Sequence, residues 1–181
     1  MIKFFKNLGS IITAILAWIV LSTIFWGWLF NLVTDTTPAH KVTFFIESEA
    51  LEDDELAFLL EEDMPEGIKM IKVHPFSFAF FDSNTLLSAD VYIVKKSNIE
   101  QYRDSFAPLD GALSSGEYGD VYAIDSEPYG IKVYDAATGE GILSSFATYP
   151  DEDCYLFIGS ASAHLEDGIS YIYAERLLNI K

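Results

Sequence analysis

The sequence predicts an α/β protein: an N-terminal transmembrane helix followed by one mostly parallel-sheet domain. Three observations support this. Between Asn7 and Thr34 there is no Asp, Glu, Lys, Arg or His. All 28 acids lie from Asp35 onward beside only nine Lys and Arg, so residues 35–181 hold a formal charge of −19 in a chain whose total is −17. From Lys41 onward, segments with strand texture alternate with segments of helical spacing, the pattern of right-handed βαβ crossovers.

The apolar segment is Leu8–Val33. A helix rising about 1.5 Å per residue needs some 20 residues to cross a hydrocarbon core about 30 Å thick, and this one is long enough. A cleaved secretory signal has an apolar core of roughly 7–15 residues, and Thr37-Pro38-Ala39 makes a poor cleavage site. Trp18, Trp26 and Trp28 are the only Trp in the chain. The last two sit where an interfacial belt would anchor the helix in the bilayer. Lys3 and Lys6 precede the segment and Asp35 follows it. Basic flanks stay inside, so residues 1–7 are expected in the cytoplasm and the acidic part outside the cell, on a single-pass membrane protein. Small residues at Ser10, Ala14 and Ala17, and at Thr23 and Gly27, allow close helix contact in lipid and leave room for a membrane-protein partner.

Residues 34–40 (TDTTPAH) form a short tether, and residues 41–181 form the extracytoplasmic domain. KVTFFIE, from Lys41, is rich in β-branched and aromatic residues and reads as a strand. Leu56, Leu59 and Leu60 share a helical face behind an acidic first turn, and Pro65-Glu66-Gly67 ends that helix. Ile68 to Phe81 reads as a strand region broken at Pro75, and Asp82 to Ser88 as one or two helical turns. Val91 to Val94 is a short buried strand. Ser97 and Glu100 then form a capping box ahead of Ile99, Tyr102 and Phe106 on one face, closed by Pro108. The second half changes texture: DVYAI and YGIKVYD flank a turn from Asp125 to Pro128, so hairpins are expected. Ile142 to Tyr149 fits strand or helix. Cys154 to Ile158 is a buried strand, and Ile169, Ile172, Tyr173 and Leu177 line one face of a final helix.

The charge excludes nucleic acid as a partner, because so acidic a surface repels a phosphate backbone. Cys154 has no partner for an intrachain disulfide. It reads as a small buried hydrophobe, and whether it pairs between chains stays open. His40, His74 and His164 show no metal-ligand spacing, and HExxH and CxxC are absent. Ser160, Ser162, His164, Glu166 and Asp167 crowd one stretch, but triad members normally converge from distant positions, and GxSxG is absent. That stretch reads as a polar loop before the last helix. Gly139-Glu140-Gly141 reads as a turn. The acid runs 52–55, 61–63 and 151–153 lack EF-hand spacing and read as solvated faces. No cofactor, metal or catalytic residue is assigned, and an enzyme is the weakest reading.

The order of KVTFFIE, SADVYIV with its helix ending in FAPLD, DVYAIDSEPYGIKV and the closing CYLFIGSASAH–ISYIYAERLL resembles bacterial extracellular solute-binding proteins of ABC importers. Those proteins close two lobes around a solute, and 147 residues suffice for one, so the resemblance implies a single lobe without the second wall of the cleft. Lys132 also stands where the family often has proline. The function expected is a non-enzymatic membrane-anchored interaction module, accessory to a transporter or envelope complex. The alternative is a small-molecule binding or sensing domain at the carboxyl ends of the strands, with Asp90, Lys95 and Ser97 near the ligand.

Overall fold

The computed structural model describes residues 2–34, 36–76 and 84–180. The chain divides into two units, Met1–Thr37 and Pro38–Lys181. The first is one helix, α1 (Ile2–Thr34), as an uninterrupted apolar run with no internal Pro dictates. Its stretch Ile11–Phe30 has a mean hydropathy of 2.0 and contains no buried residue, so it is long and apolar enough to cross a membrane. Trp18, Trp26 and Trp28 all point outward from it.

The second unit is a mixed sheet between helical layers. Its main strands are β1 (Lys41–Ile46), β3 (Met70–Pro75), β4 (Val91–Lys95), β6 (Val121–Ile124), β7 (Glu127–Asp135) and β10 (Cys154–Gly159), in the order β3-β1-β4-β10-β7-β6. Short strands β5 (Phe106–Ala107) and β8 (Glu140–Gly141) add to β10 and β7, and β2 (Ala50–Leu51) pairs with β9 (Ala147–Thr148) apart from them. The parallel part is the first half only: β3, β1 and β4 run together, and β10, β7 and β6 each join antiparallel. Parallel neighbours need crossovers, which α2 (Asp53–Leu60) and α3 (Asn84–Leu87) supply; the later strands are linked by a hairpin and a loop. The β6–β7 hairpin turns on Asp125 and Ser126, both at positive φ (51° and 74°), the combination that matches strand twist in a two-residue loop.

Alternation along the strands sorts the core into two faces. Val42, Phe44, Ile46, Val91, Ile93, Cys154, Leu156 and Ile158 face α2, α5 (Gly111–Ser114) and α6 (Ile169–Leu178) in a mainly aliphatic layer. Phe45, Tyr92, Val94, Tyr155 and Phe157 face the other way, in an aromatic layer with Tyr102 of α4 (Ile99–Tyr102) and Phe106. Gly130 leaves room there for a ring: a Cβ on it would sit 2.6 Å from the Phe157 ring, which stacks on Phe106 at 4.0 Å between centroids.

Several local expectations change. The Ser97–Glu100 capping box does not form; Ser97 is bonded to Glu152 instead, and the helix breaks into short 3-10 and α turns over 96–105. Phe106 leaves that helix to pair with Gly159. Ile142 to Tyr149 is mostly turn, with Ala147–Thr148 the short strand β9. The strand region begun at Ile68 is β3, ending at Pro75; residues 77–81 of that expectation, and 82–83 of the next, lie outside the described residues.

Candidate functional site

β1 and β4 are neighbours in the sheet, yet the helices that follow them pack on opposite faces. Their carboxyl ends therefore frame the crevice where open α/β sheets hold ligands. Here the chain fills it with its own carboxylates. Glu47, directly after β1, accepts hydrogen bonds from the Lys95 backbone N–H at 2.9 Å and the Asn98 side-chain amide at 2.8 Å, and pairs with the Lys95 ammonium at 3.4 Å. Glu152 accepts from the Ser97 backbone N–H at 2.7 Å and its hydroxyl at 2.9 Å. The amides that would meet an anion at the start of this turn already have partners.

Lys95 and Ser97 thus lie at the expected crevice, but Asp90 is not with them. It precedes β4 at the opposite end, about 16 Å away by strand rise. Asp90 is only 2 % exposed. One carboxyl oxygen accepts the Thr43 backbone N–H at 2.7 Å; the other accepts the Ser162 hydroxyl and, at 3.5 Å, the Ser170 hydroxyl. Burial pushes the carboxyl above its ordinary range, against the lowering effect of Ser162, Thr43, His164 and Ser170.

His164 completes this buried network. Its Nδ1 lies 3.0 Å from Asp167 and its Nε2 3.1 Å from the Pro38 carbonyl oxygen, while its backbone N–H donates to Ser162 Oγ at 2.9 Å. The Ser162 proton goes to Asp90 and the His164 ring faces Pro38, so hydroxyl and imidazole are not aligned as a nucleophile and its base. The loop pins the start of the folded unit. His40 extends the attachment, with Nδ1 2.9 Å from the Gly67 carbonyl and its own carbonyl accepting the Lys69 N–H at 2.9 Å.

A different face holds an open groove of about 750 Å³ between α2 and α6, lined by Leu59, Phe146, Ile172 and Ile180 with Glu62, Asp63 and Glu175 at its rim. Arg176 fixes one wall, donating to the carbonyl oxygens of Glu62 and Asp63 at 3.1 and 2.6 Å beyond the end of α2. Phe58 is 72 % exposed and Ile172 42 %. Phe58 precedes Leu59 of the lining on α2 and is not itself part of the lining. The sequence held this signal: Phe58 points away from the Leu56–Leu60 face, an aromatic among acids where a polar residue is ordinary.

Among the described residues, no three His, Cys, Asp or Glu side chains converge as a metal site. Two of the acids in the 151–153 run serve the fold: Glu152 as above, and Asp153 by accepting the Ala136 N–H at 3.0 Å and pairing with Lys132 at 3.1 Å. Cys154 is buried, its thiol donating to the Glu152 carbonyl at 3.5 Å. No protein-family model matches the chain, and neither do the curated proteins or the solved structures.

Proposed function

We propose that this chain is a non-enzymatic, membrane-anchored extracytoplasmic interaction module, accessory to a transporter or another envelope complex. The observation behind this reading is the apolar groove between α2 and α6, where Ile172 stays exposed, with Phe58 exposed on α2 next to Leu59 of the lining, in a unit that buries most of its large apolar side chains. Exposed apolar groups rimmed by charge mark a surface that meets another protein. The uncharged 20-residue span of α1 supports anchoring in the bilayer, with Trp26 and Trp28 as interfacial contacts and the Lys-bearing end inside. Only residues 35–37 separate α1 from the folded unit, which favours a partner at the same membrane. The single-lobe likeness to solute-binding proteins points the same way. Against a solute at the strand ends stands Glu47, which a ligand would have to displace from Lys95 and Asn98.

Purification of the full chain from its own membranes in mild detergent tests the reading. A stoichiometric membrane or envelope protein is expected to co-elute. A chain that elutes alone, and whose melting temperature rises with a solute, would replace it with the small-molecule alternative.

A further inference from the structure

The α2–α6 groove combines an apolar floor with a rim that is acidic on balance. Residues 52–63 hold seven Asp and Glu and no Lys or Arg. Of these, Glu62 and Asp63 line the groove, joined by Glu175 from α6. Arg176 is the one basic side chain in the lining; its guanidinium donates to the backbone carbonyls of Glu62 and Asp63 and offsets one of the three carboxylate charges, which leaves the rim net negative. Leu59, Phe146, Ile172 and Ile180 offer apolar contact inside, and Phe58, adjacent to Leu59 on α2 but outside the lining, stands exposed. A groove between two helices of this kind accepts an amphipathic helix laid along it. Charge decides which: an acidic or neutral segment would leave the rim carboxylates desolvated and unpaired, and a basic one would pair with them.

Resting on the interaction reading above, we infer that this groove receives an amphipathic helical segment of a protein partner, with apolar residues on one face and Lys or Arg flanking them. Apolar contact supplies the hold, and the acidic rim selects the partner and speeds its approach.

The test uses the full chain in zwitterionic lipid nanodiscs, with empty discs as baseline. The probe is a fluorescent helical peptide of about 18 residues, Leu on one face and Lys on the other. Salt is held at about 0.3 M, so that exposed charges are screened beyond a few ångström. Saturable binding is expected, and a version with Ser for Leu should not bind. Phe58→Glu with Ile172→Glu makes the groove more acidic and less apolar; affinity should fall about tenfold or more, where simple charge attraction would raise it. Glu55→Lys with Glu62→Lys should weaken binding similarly, while Glu100→Lys with Glu127→Lys, elsewhere on the unit, should change it by less than about twofold. Melting curves of each variant verify folding. Absence of binding to the unmodified chain, or equal weakening by both charge-reversed pairs, overturns the inference. Co-purification separates it from the reading it rests on. A membrane partner that follows the Phe58→Glu, Ile172→Glu chain as well as the unmodified one leaves the module standing and removes the groove. If neither chain brings a partner, the module reading falls.

Discussion

The Nε2 of His164 lies 3.1 Å from the carbonyl oxygen of Pro38, two residues 126 positions apart. The contact fastens the first turn of the folded unit to the loop before its last helix. Both ring nitrogens face oxygens, Asp167 on one side and Pro38 on the other. A neutral imidazole donates at one nitrogen and the imidazolium at both.

Replacing this residue should loosen the start of the unit. His164→Ala leaves the Pro38 carbonyl and Asp167 without their partner, and a loss of about 2 kcal/mol is expected in denaturant melts. Hydrogen exchange should rise at the Lys69 amide, whose acceptor is the carbonyl of His40, two residues after Pro38 in the same turn. Unchanged protection at Lys69 would show that His164 does not hold this turn.

Asp90 gives a pH dependence of definite sign. Burial raises its carboxyl in the fold, despite four lowering neighbours. The folded protein then holds this proton more tightly than the unfolded chain. The stabilising contribution is therefore complete below about pH 4 and is lost as pH rises through the folded value. The stability of the unmodified chain relative to Asp90→Asn should be greatest in acid and shrink toward neutrality. Asp167 has the opposite sign: burial raises it, but its bonds to His164 and the Ile169 N–H bring it below its ordinary value. Its contribution is present above about pH 4 and lost on acidification. Urea melts of Asp90→Asn and Asp167→Asn across one pH series should diverge in opposite directions; parallel curves would contradict both assignments.

Cys154 should be chemically silent in the folded protein. Burial, aided by the carboxylates of Glu47, Glu152 and Asp153, pushes its thiol up to about 12. The thiolate is the reactive species and is negligible at neutral pH. Iodoacetamide is expected to label the chain only after unfolding in urea, and a disulfide between chains should not form from the native state. Rapid labelling without denaturant would refute this.

Two glycines separate a rigid clash from a yielding one. A Cβ on Gly159 would stand 1.9 Å from the Ala89 carbonyl oxygen, which is backbone, whereas one on Gly130 would meet the side chain of Phe157. Gly159→Ala should cost about 3 kcal/mol or prevent folding, and Gly130→Ala should cost less, because a ring can shift. Thermal melts giving the reverse order would show that the β4–β10 approach is looser than described.

The strands β1, β4 and β10 were legible as short, nearly continuous apolar and aromatic runs, which only a sheet covered on both sides keeps dry. The hairpin at Asp125 was legible from its turn residues. Ser97 shows the limit. Its capping-box spacing is local, but Glu152, 55 positions away, reaches the same amide, and a long-range carboxylate displaced the local one.

The sequence by itself determined an uncharged helix long enough to cross a membrane, an acidic α/β unit and most of its buried strands, because these follow from composition and from periods of 2 and 3.6 residues. It also placed Asp90 before one strand and Lys95 and Ser97 after it, so grouping the three at its carboxyl end already conflicted with the strand's own bounds. Only the tertiary structure decided that β10 enters antiparallel beside β4, that Glu47 and Glu152 close the crevice, that His164 holds Pro38, and that α2 and α6 leave an acidic-rimmed groove open. Each of these joins residues tens of positions apart, and contacts at that separation are set by how the layers pack, which no local pattern encodes.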